Sequence, residues 1–423
     1  MELKAGYKST RVGVIPEDWT VEPLGRMATL RTGPFGSTLH ESDYVEGGVP
    51  VINPMHIIDG RLEPTPGMTV SSATAARLYE FQVQPGDVVI GRRGDMGRCA
   101  VIEASQTGWL CGTGSMIVRS SSAHPGFLQR VLSSKRAIES IEATSVGSTM
   151  INLNQVTLSG LSVQFPPLEE QRAIATALSD VDALLGAIDR LIAKKRNLKR
   201  AAMQQLLTGQ TRLPGFNGEW KVRRLGDHAT FLKHGVNSRA ELTTEGRVKY
   251  LHYGDVHGAK GLLLNPTLES MPCLPSMKAE GIDRLMIGDL VIADASEDLD
   301  GVGKSVELTG VGTVEVVSGL HTIAVRFDKR VLADGFKAYL QFCAPFRAQL
   351  RRLAAGTKVY ATNRSHVASV EIALPNVEEQ SAIASVLSDM DAEIEALDAR
   401  RAKTRDIKQA MMQELLTGRT RLV

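Results

Sequence analysis

Two short strings in this 423-residue chain approach motifs that carry out chemistry, and both are incomplete. Residues 300–305 read DGVGKS, like the end of a phosphate-binding loop, but Asp298 and Leu299 fill the stretch that must supply an upstream glycine. Residues 53–56 read NPMH and lack the second proline and the aromatic residue of the N/D-P-P-Y/F motif of methyltransferases. We interpret the two strings as a glycine-rich turn between strands and a strand-to-turn exit.

The other side chains that could hold a metal or act as a nucleophile are scattered. The acidic stretch ASEDLD at residues 295–300 has no partner cluster to fix a coordination geometry, so exposed loop charge is the preferred interpretation. The cysteines form no CxxC pair, which argues against a zinc site or a disulfide framework and is typical of a reducing cytosol. They are Cys99, Cys111, Cys273 and Cys343. With no nuclease or nucleophile constellation, we predict no enzyme activity, no metal and no cofactor in this chain.

A long segment that occurs twice organises the chain around these strings. Residues 169–213 and 378–422 align without a gap, 209 residues apart, and about 27 of the 45 aligned positions are identical. Because the period is about half the chain, the repeat indicates a duplicated two-part unit and not a solenoid of short repeats.

Each copy has the pattern of a long helix. Pro166-Pro167 and Pro375 end the preceding strands, and Gly209 and Gly418 stand where a glycine ends a helix. Three positions of a seven-residue repeat are mostly apolar in the first copy. They are a (Ile174, Val181, Ile188, Lys195, Ala202), d (Ala177, Leu184, Leu191, Leu198, Gln205) and e (Leu178, Leu185, Ile192, Lys199, Leu206). The pattern predicts a helix packed along its length on another helix.

The d positions are weaker in the second copy, where Glu393, Arg400 and Glu414 occupy them. The alternative is a pair of helices in an ordinary bundle. It is disfavoured, because bundles seldom place a β-rich insert of about 160 residues between such helices.

The regions before the two helices contain short β-type runs separated by Gly and Pro turns, such as GDVVIGRR and HTIAVRF. They match each other only at a few anchors. The anchors are Trp19 with Trp220, Leu24-Gly25 with Leu225-Gly226, Gly86-Asp87 with Gly288-Asp289, and residues 147–154 with 356–363. A duplicated frame with diverged sequence between the anchors is the pattern of two domains that recognise different things.

Composition limits the possible partners. The 43% hydrophobic and 23% charged content is that of a globular protein, no apolar run is long enough for a transmembrane helix, and the N-terminus lacks a signal-peptide core. We therefore expect a cytoplasmic protein without a membrane partner. The net charge of only +2 means that phosphate neutralisation alone could not supply strong DNA binding.

The order of elements predicts an α+β fold with a pseudo-two-fold internal repeat. We place one globular domain at residues 1–165, the first long helix at 166–209, a second globular domain at 210–373, and the second helix with its tail at 374–423. The tail reads TGRTRLV and so repeats TGQTRL, the string that enters the second domain from the first helix, with one change. Equivalent halves then require antiparallel helices, with a domain at each end of the pair.

These features resemble the specificity (S) subunits of type I restriction–modification systems. The resemblance lies in the domain order, the P-x-x-E-E-Q-x-x-I helix start, the L-L-T-G-x-T-R-L helix end and the opening from Gly13 to Trp19. It implies two α/β target recognition domains, each reading one part of a split double-stranded DNA target, joined by two long antiparallel helices that form a coiled-coil spacer. It also implies a phage-defence complex with two methyltransferase (M) subunits, which hold S-adenosylmethionine, and restriction/motor (R) subunits.

Residue types suited to base contacts suggest where each domain would touch DNA. The candidates in the first domain are Arg31, Ser37, Arg92, Arg93, Arg98, Thr113, Ser115, Ser148, Thr149, Asn152 and Asn154. Those in the second are Lys233, His234, Asn237, Ser238, Arg239, His252, Tyr253, His321, Lys358, Tyr360 and Asn363. For each of them, a solvated loop position or a capping role is the alternative.

The helices offer two further kinds of surface. The basic residues from Lys194 to Arg200 are interpreted as a solvated face, with contact to the DNA backbone as the alternative. Small and apolar positions outside the seam, such as Ala173, Ala177, Leu207 and Leu416, could pack on M subunits.

Two other functions compete with DNA recognition. A scaffold whose paired helices join proteins without reading bases would agree with the near-neutral charge. A self-contained modification enzyme is opposed by the incomplete motifs and by the length of the chain.

Overall fold

A computed structural model describes residues 5–36, 38–143, 152–312, 314–354, 356 and 359–422. The chain divides into two compact units. The first contains Met1–Asp189 and Ala399–Val423, and the second contains Arg190–Asp398. Each unit therefore holds one globular part and about half of each long helix. Within the described ranges, no helix combines the length and apolar character needed to cross a membrane.

The first unit combines short strands with short helices before the first long helix. Its described strands are β1 Tyr7–Thr10, β2 Gly13–Pro16, β3 Thr20–Pro23, β4 Thr29–Thr32, β5 Tyr44–Val45, β6 Val49–Ile52, β7 Ile57–Ile58, β8 Arg61–Leu62, β9 Thr69–Val70, β10 Val88–Gly91, β11 Cys99–Val101, β12 Leu110–Cys111, β13 Ser115–Arg119 and β14 Ser162–Phe165. Its helices are α1 Leu24–Met27, α2 Ser72–Arg77, α3 Pro125–Leu132, α4 Lys135–Ala143, α5 Gln155–Ser159 and the start of α6 Leu168–Leu206.

The second unit repeats this plan. Its described strands are β15 Lys221–Arg224, β16 Ala229–Phe231, β17 Val248–Leu251, β18 Leu263–Leu264, β19 Cys273–Leu274, β20 Leu290–Ala293, β21 Ala295–Ser296, β22 Ser305–Leu308, β23 Glu315–Ser318, β24 Thr322–Phe327, β25 Tyr360–Ala361 and β26 Glu371–Leu374. Its helices are α7 Tyr253–Gly258, α8 Ala344–Leu353, α9 Arg364–Ser369 and the start of α10 Val377–Leu415.

A mainly antiparallel sheet forms the centre of each unit. Its order is β11-β10-β13-β4 in the first unit and β22-β20-β24-β16 in the second, where β18 adds to β22 in parallel. The central strands β10 and β20 read VVIG and LVIA and are buried at every position. Continuous apolar runs of this kind form strands covered on both faces. A separate strand pair, β3-β14 or β15-β26, leads into the long helix.

The Gly-Asp anchors fix the entrance to each central strand. Gly86 and Gly288 both have φ of +88°, a conformation that favours glycine. Asp87 accepts the amide of Gln84 at 2.7 Å and binds both Nε and Nη2 of Arg119 at 2.7 Å. The second unit repeats this arrangement around Asp289. That carboxylate binds the amide of Met286 at 2.7 Å and Arg326 at 2.8 and 2.6 Å.

The helix-start motif ties each long helix to its globular part. The Gln171 side chain accepts the His124 amide at 2.8 Å and donates to the Pro166 carbonyl at 2.9 Å. Gln380 does the same with the Ala333 amide and the Pro375 carbonyl, both at 2.9 Å. The glutamine of P-x-x-E-E-Q is therefore a brace between the domain and the helix.

The end of α10 and the tail after it are bound by N-terminal residues of the chain and by Glu170, the residue before Gln171 in the helix-start motif. Arg421 binds Glu170 at 2.6 Å and Asp18 at 2.8 Å, and Trp19 donates its indole N–H to Glu170 at 2.9 Å. Tyr7 donates its hydroxyl to the Gly418 carbonyl at 3.0 Å. We call the group of Asp18, Trp19, Glu170 and Arg421 the first latch.

Its counterpart in the second unit, the second latch, consists of Trp220, Glu379 and Arg212. Arg212 binds Glu379 through Nε and Nη2 at 2.5 and 2.6 Å and lies over the Trp220 ring. Gly209 and Gly418 have φ of +72° and +70°, so each helix ends at a left-handed glycine as the sequence predicts.

The two long helices run antiparallel, as predicted. Within each unit, ion pairs join successively later residues of α6 to successively earlier residues of α10. They are Asp182 with Lys408 (2.6 Å) and Asp189 with Arg401 (3.1 Å) in the first unit, and Lys195 with Glu393 (2.6 Å) and Lys199 with Asp391 in the second. By the 209-residue repeat, Asp182–Lys408 and Asp391–Lys199 are the same pair.

The seam between the helices uses the a and e positions. Ile174, Leu178, Ile188 and Ile192 of α6 are buried, whereas the d residues Leu184, Leu191 and Leu198 are 40%, 41% and 47% exposed. The sequence pattern alone did not show which of the three apolar positions, a, d or e, would be buried. Leu207 and Leu416, predicted as docking positions, lie instead in the hydrophobic cores of the second and the first unit.

Candidate nucleic-acid interface

Three segments meet at one place in the first unit, and we call this place junction 1. It joins the root of the β10–β11 hairpin, the turn before β13 and the segment before α5. The Arg92 Nε donates to the Leu153 carbonyl at 2.8 Å, its Nη1 donates to the Thr113 carbonyl at 3.3 Å, and the Leu153 amide donates to the Arg92 carbonyl at 2.9 Å. Asn154 caps α5 by accepting the Thr157 amide at 2.8 Å.

The same three segments meet in the second unit, at junction 2. The Asp294 amide donates to the His321 carbonyl at 3.1 Å, and the Thr362 amide donates to the Asp294 carbonyl at 2.7 Å. Asn363 caps α9 by accepting the His366 amide at 3.0 Å. Asp294 thus stands where Arg92 stands in junction 1, and its carboxylate lies 3.1 Å from Nδ1 of His321. The backbone frame is repeated, but the charge at its centre is reversed.

Aromatic side chains gather beside junction 2. The Tyr253 ring lies 4.5 Å from the His252 ring and contacts His321 edge-on at 5.5 Å, while His257 lies 6.2 Å away. His321 has φ of +58°, which presents its ring from a left-handed backbone position. Its side chain is 52% exposed, so the edge of this cluster is open to a ligand.

Burial lowers the pKa of His252 and His234, and the nearby Arg239 and Arg364 lower these two pKa values further. Both rings are therefore held neutral near pH 7. A neutral imidazole has one donor and one acceptor nitrogen, which lets the half-buried His234 hydrogen bond either kind of group on a base edge. His252 is only 7% exposed and its Nδ1 accepts the Gly254 amide at 3.2 Å, so we leave it out of the proposed DNA contacts.

The comparisons with known proteins agree on one family. Residues 16–195 match the family described as Type I restriction modification DNA specificity domain. Among curated relatives, the putative type I restriction enzyme MjaX specificity subunit of Methanocaldococcus jannaschii is 24% identical over 98% of this chain and 97% of its own length. The MjaVIII specificity subunit of the same organism is 22% identical over 96% and 94%.

Solved structures share the fold. The type I restriction–modification S subunit from M. genitalium has a TM-score of 0.57 at 14% identity and covers 98% of both chains. The HsdS subunit from Thermoanaerobacter tengcongensis has a TM-score of 0.50 at 18% identity, covering 96% of this chain and 98% of its own. The resemblance predicted from the sequence is thus confirmed. The relatives are specificity subunits of restriction enzymes, which agrees with the expectation that catalysis belongs to other subunits.

Several candidate residues of the first globular domain are exposed. Arg93 is exposed at the tip of the β10–β11 hairpin, where Arg98 pairs with Asp95. Arg31 is exposed on β4 and pairs with Glu80 at 2.6 Å. Asn152 and Asn154 are exposed beside junction 1, and Thr113 is half-buried in it.

Two candidates of this domain are buried. Ser115 is fully buried, and Arg92 is only 7% exposed and bonded to backbone carbonyls. Because a base could hardly reach either side chain, we leave both residues out of the proposed DNA contacts. Sequence type alone suggested them, because arginine and serine are also common base readers.

The candidates of the second unit form two groups. His252, Tyr253 and His321 lie together in the aromatic cluster described above. His234 lies 3.2 Å from Arg364, and the neighbouring loop is closed by Glu241, which accepts the Ser238 amide at 2.9 Å and the Asn237 side chain at 3.0 Å.

The remaining candidates of the second unit lie along the same region. Arg239 is exposed and pairs with Asp255, and Lys233 is exposed. Tyr360 is half-buried on β25, opposite Ser296, and Asn363 is the exposed cap of α9. Ser37, Ser148, Thr149 and Lys358 lie outside the described residues.

Sequence reasoning missed two residues at junction 2. Asp294 binds His321, and Arg364 donates to the Leu232 carbonyl at 2.6 Å while touching His234. The sequence could have indicated Asp294, because it follows Asp289 of its Gly-Asp anchor by the same number of residues as Arg92 follows Asp87. The described residues contain no group of three or more His, Cys, Asp or Glu side chains placed to hold a metal.

Proposed function

We propose that this chain is the non-catalytic recognition subunit of a type I restriction–modification complex. Each globular part would read one part of a split double-stranded DNA target, and the paired helices would set the gap between the parts. The observation that carries the proposal is the combination of a repeated frame with two unlike junctions. Selection for packing alone would not require Arg92 and Asp294 to occupy one and the same backbone position.

The hairpin tips support different targets for the two domains. The first tip, residues 92–98, is mainly basic, whereas the second, residues 294–304, is mainly acidic. Arginine is suited to guanine, and carboxylates accept from the cytosine amino group. A basic and an acidic tip on equivalent hairpins therefore favour two half-sites of different sequence.

The helices support docking of partner subunits. Leu184 on the first unit's part of α6, and Leu191 and Leu198 on the second unit's part, are exposed at seven-residue intervals. Evenly spaced apolar residues along a helix are suited to a partner helix. We propose that two M subunits, which would hold S-adenosylmethionine, dock on the helices and that R subunits join through them.

The experiment that tests this function is methylome sequencing of a methylation-free host that expresses the chain with its M subunit. We expect a motif of two short specific parts separated by a fixed gap. Replacing residues 214–376 with the corresponding region of a related subunit should change one part of the motif and leave the other unchanged.

A stable complex with an active M subunit but without any modified motif would contradict base readout. That outcome would favour the scaffold function, for which the near-neutral charge of the chain is the supporting observation. Binding of S-adenosylmethionine by the isolated chain would instead support a self-contained enzyme.

A further inference from the structure

Each specificity domain presents one large apolar side chain to solvent at an equivalent loop position. Phe35 is 64% exposed just after β4, and Val236 is 74% exposed just after β16. A single exposed apolar residue needs no explanation. Two of them at one position of a duplicated frame, in domains whose sequences otherwise match only at anchors, are unlike a random scatter.

The strand registers establish that these positions are equivalent. Arg119 and Arg326 are the partners of the two Gly-Asp anchors, and they lie opposite Thr29 and Thr230. Counting six residues from each threonine leads to Phe35 and Val236. The Leu-Gly anchors, Leu24-Gly25 and Leu225-Gly226, give the same alignment.

The backbone around Phe35 is fixed. The Gly33 amide donates to the Ser115 carbonyl at 3.0 Å, and a Cβ on Gly33 would lie 1.9 Å from the Gly112 carbonyl oxygen. The Phe35 carbonyl accepts the amide of Thr38 at 2.8 Å. The loop is therefore packed on the turn that contains Thr113 of junction 1, with its apolar side chain turned outward.

The backbone around Val236 is fixed by different contacts. The Gly235 amide donates to the Ser318 carbonyl at 2.8 Å, and Tyr250 donates its hydroxyl to the Asn237 carbonyl at 3.0 Å. The same hydroxyl accepts the Leu320 amide at 2.9 Å, one residue before His321 of junction 2. Both loops thus hold an apolar side chain rigidly beside their junction, which is the preorganisation that recognition requires.

We propose that Phe35 and Val236 contact the 5-methyl group of a thymine, one in each part of the DNA target. This assignment rests on the proposed function and deepens it by naming a base. Thymine is the base whose major-groove edge carries an apolar group, so it is the base that an apolar side chain can select. The polar residues around each loop, such as Thr113 and Asn237, would bind the hydrogen-bonding edges of neighbouring bases.

The test uses the complex of the full chain with its M subunits and a duplex carrying the split motif found in its methylome. Each thymine of the motif is replaced in turn by deoxyuridine, which removes only the methyl group. We expect one thymine in each part whose replacement weakens binding about fourfold, the effect of losing one buried methyl group.

The variants Phe35→Ala and Val236→Ala assign the contact. Phe35→Ala should abolish the thymine–deoxyuridine difference in the first part of the target only, and Val236→Ala should abolish it in the second part only. Val14→Ala and Leu268→Ala are matched controls, because these side chains are also exposed, 51% and 82%, and lie elsewhere in their units. Both controls should keep both differences.

Three outcomes would overturn the proposal. They are a half-site without thymine, an unchanged affinity after every deoxyuridine replacement, and a deoxyuridine effect that survives in the alanine variants. A split motif with any of these results would leave the proposed function standing and remove only the thymine contact. The absence of a split motif would remove both.

Discussion

The two units share their glutamine braces and Asp–Arg pairs but differ in charge at two other equivalent positions. Val101 and Leu128 of the first unit correspond to Glu307 and Lys337 of the second. Val101 pairs with Val88, and Glu307 pairs with the equivalent Leu290. Leu128 and Lys337 each follow a Gly-Phe pair. Glu307 and Lys337 are 1% and 0% exposed. One frame therefore accommodates either apolar or ionic side chains at these two positions, while its buried glutamine braces and Asp–Arg pairs are the same in both units.

The ionic interior of the second unit is held by several contacts. The Glu307 carboxylate accepts the Gly335 amide at 2.6 Å and the Ala338 amide at 3.0 Å, and Lys337 reaches Asp334 at 2.5 Å. Burial raises the pKa of Glu307, so its charge depends on these partners. The equivalent Val101 and Leu128 of the first unit carry no charge, and this difference predicts unequal responses to mutation.

The largest effect is expected at Lys337. Replacing it with leucine, the residue of the first unit, should cost about 3–5 kcal/mol, because Glu307 would remain buried without its cation. The double variant Glu307→Val with Lys337→Leu should recover more than half of that loss. The free energy of unfolding of the second unit, from hydrogen exchange of β20 and β24, measures both. A double variant as unstable as the single one would show that the two interiors are not interchangeable.

The latches should give a smaller and unequal effect. Trp19 is fully buried and donates to Glu170, whereas Nε1 of Trp220 is buried without a hydrogen-bond partner in the described structure. Trp19→Phe should therefore cost about 1.5–3 kcal/mol through the lost bond to a carboxylate, and Trp220→Phe less than about 1 kcal/mol. Thermal unfolding midpoints of the two variants test this order, and equal shifts would refute it.

The smallest effect is expected in the helix pair. Asp182 lies 2.6 Å from both Arg130 and Lys408, while the equivalent Asp391 faces Lys199 and the buried Tyr339. Asp182→Asn should lose about 1 kcal/mol and Asp391→Asn about 0.5 kcal/mol, as is typical of partly exposed pairs. Urea unfolding at low salt and in 1 M salt checks this, since screening should shrink the Asp182 effect more.

Local sequence predicted much of the frame. The duplicated helices and their glycine ends at Gly209 and Gly418 follow from local periodicity and end signals, and their antiparallel order follows from the order of the repeats. The burial of a and e but not d could not be predicted, because all three positions are apolar. Only the partner that each stripe meets distinguishes them.

The junctions were less accessible to sequence reasoning. Arg92 meets Leu153 across 61 residues of chain, and Asp294 meets Thr362 across 68. Contacts of this range leave no periodic signal in one sequence. Residue type therefore placed Arg92 and Ser115 among the base readers, whereas the structure buries both and binds the Arg92 guanidinium to backbone carbonyls.

The first latch has a consequence for the order in which the molecule can be made. Leu415 and Leu416 belong to the core of the first unit, and Arg421 closes its latch, yet these residues are synthesised after the whole second unit. A ribosome adding about 5–20 residues per second needs roughly 10–40 s to make the intervening second unit. Throughout that time the N-terminal part of the first unit must wait with an uncovered apolar surface. Its final packing is thus a step that follows, and depends on, synthesis of the second unit.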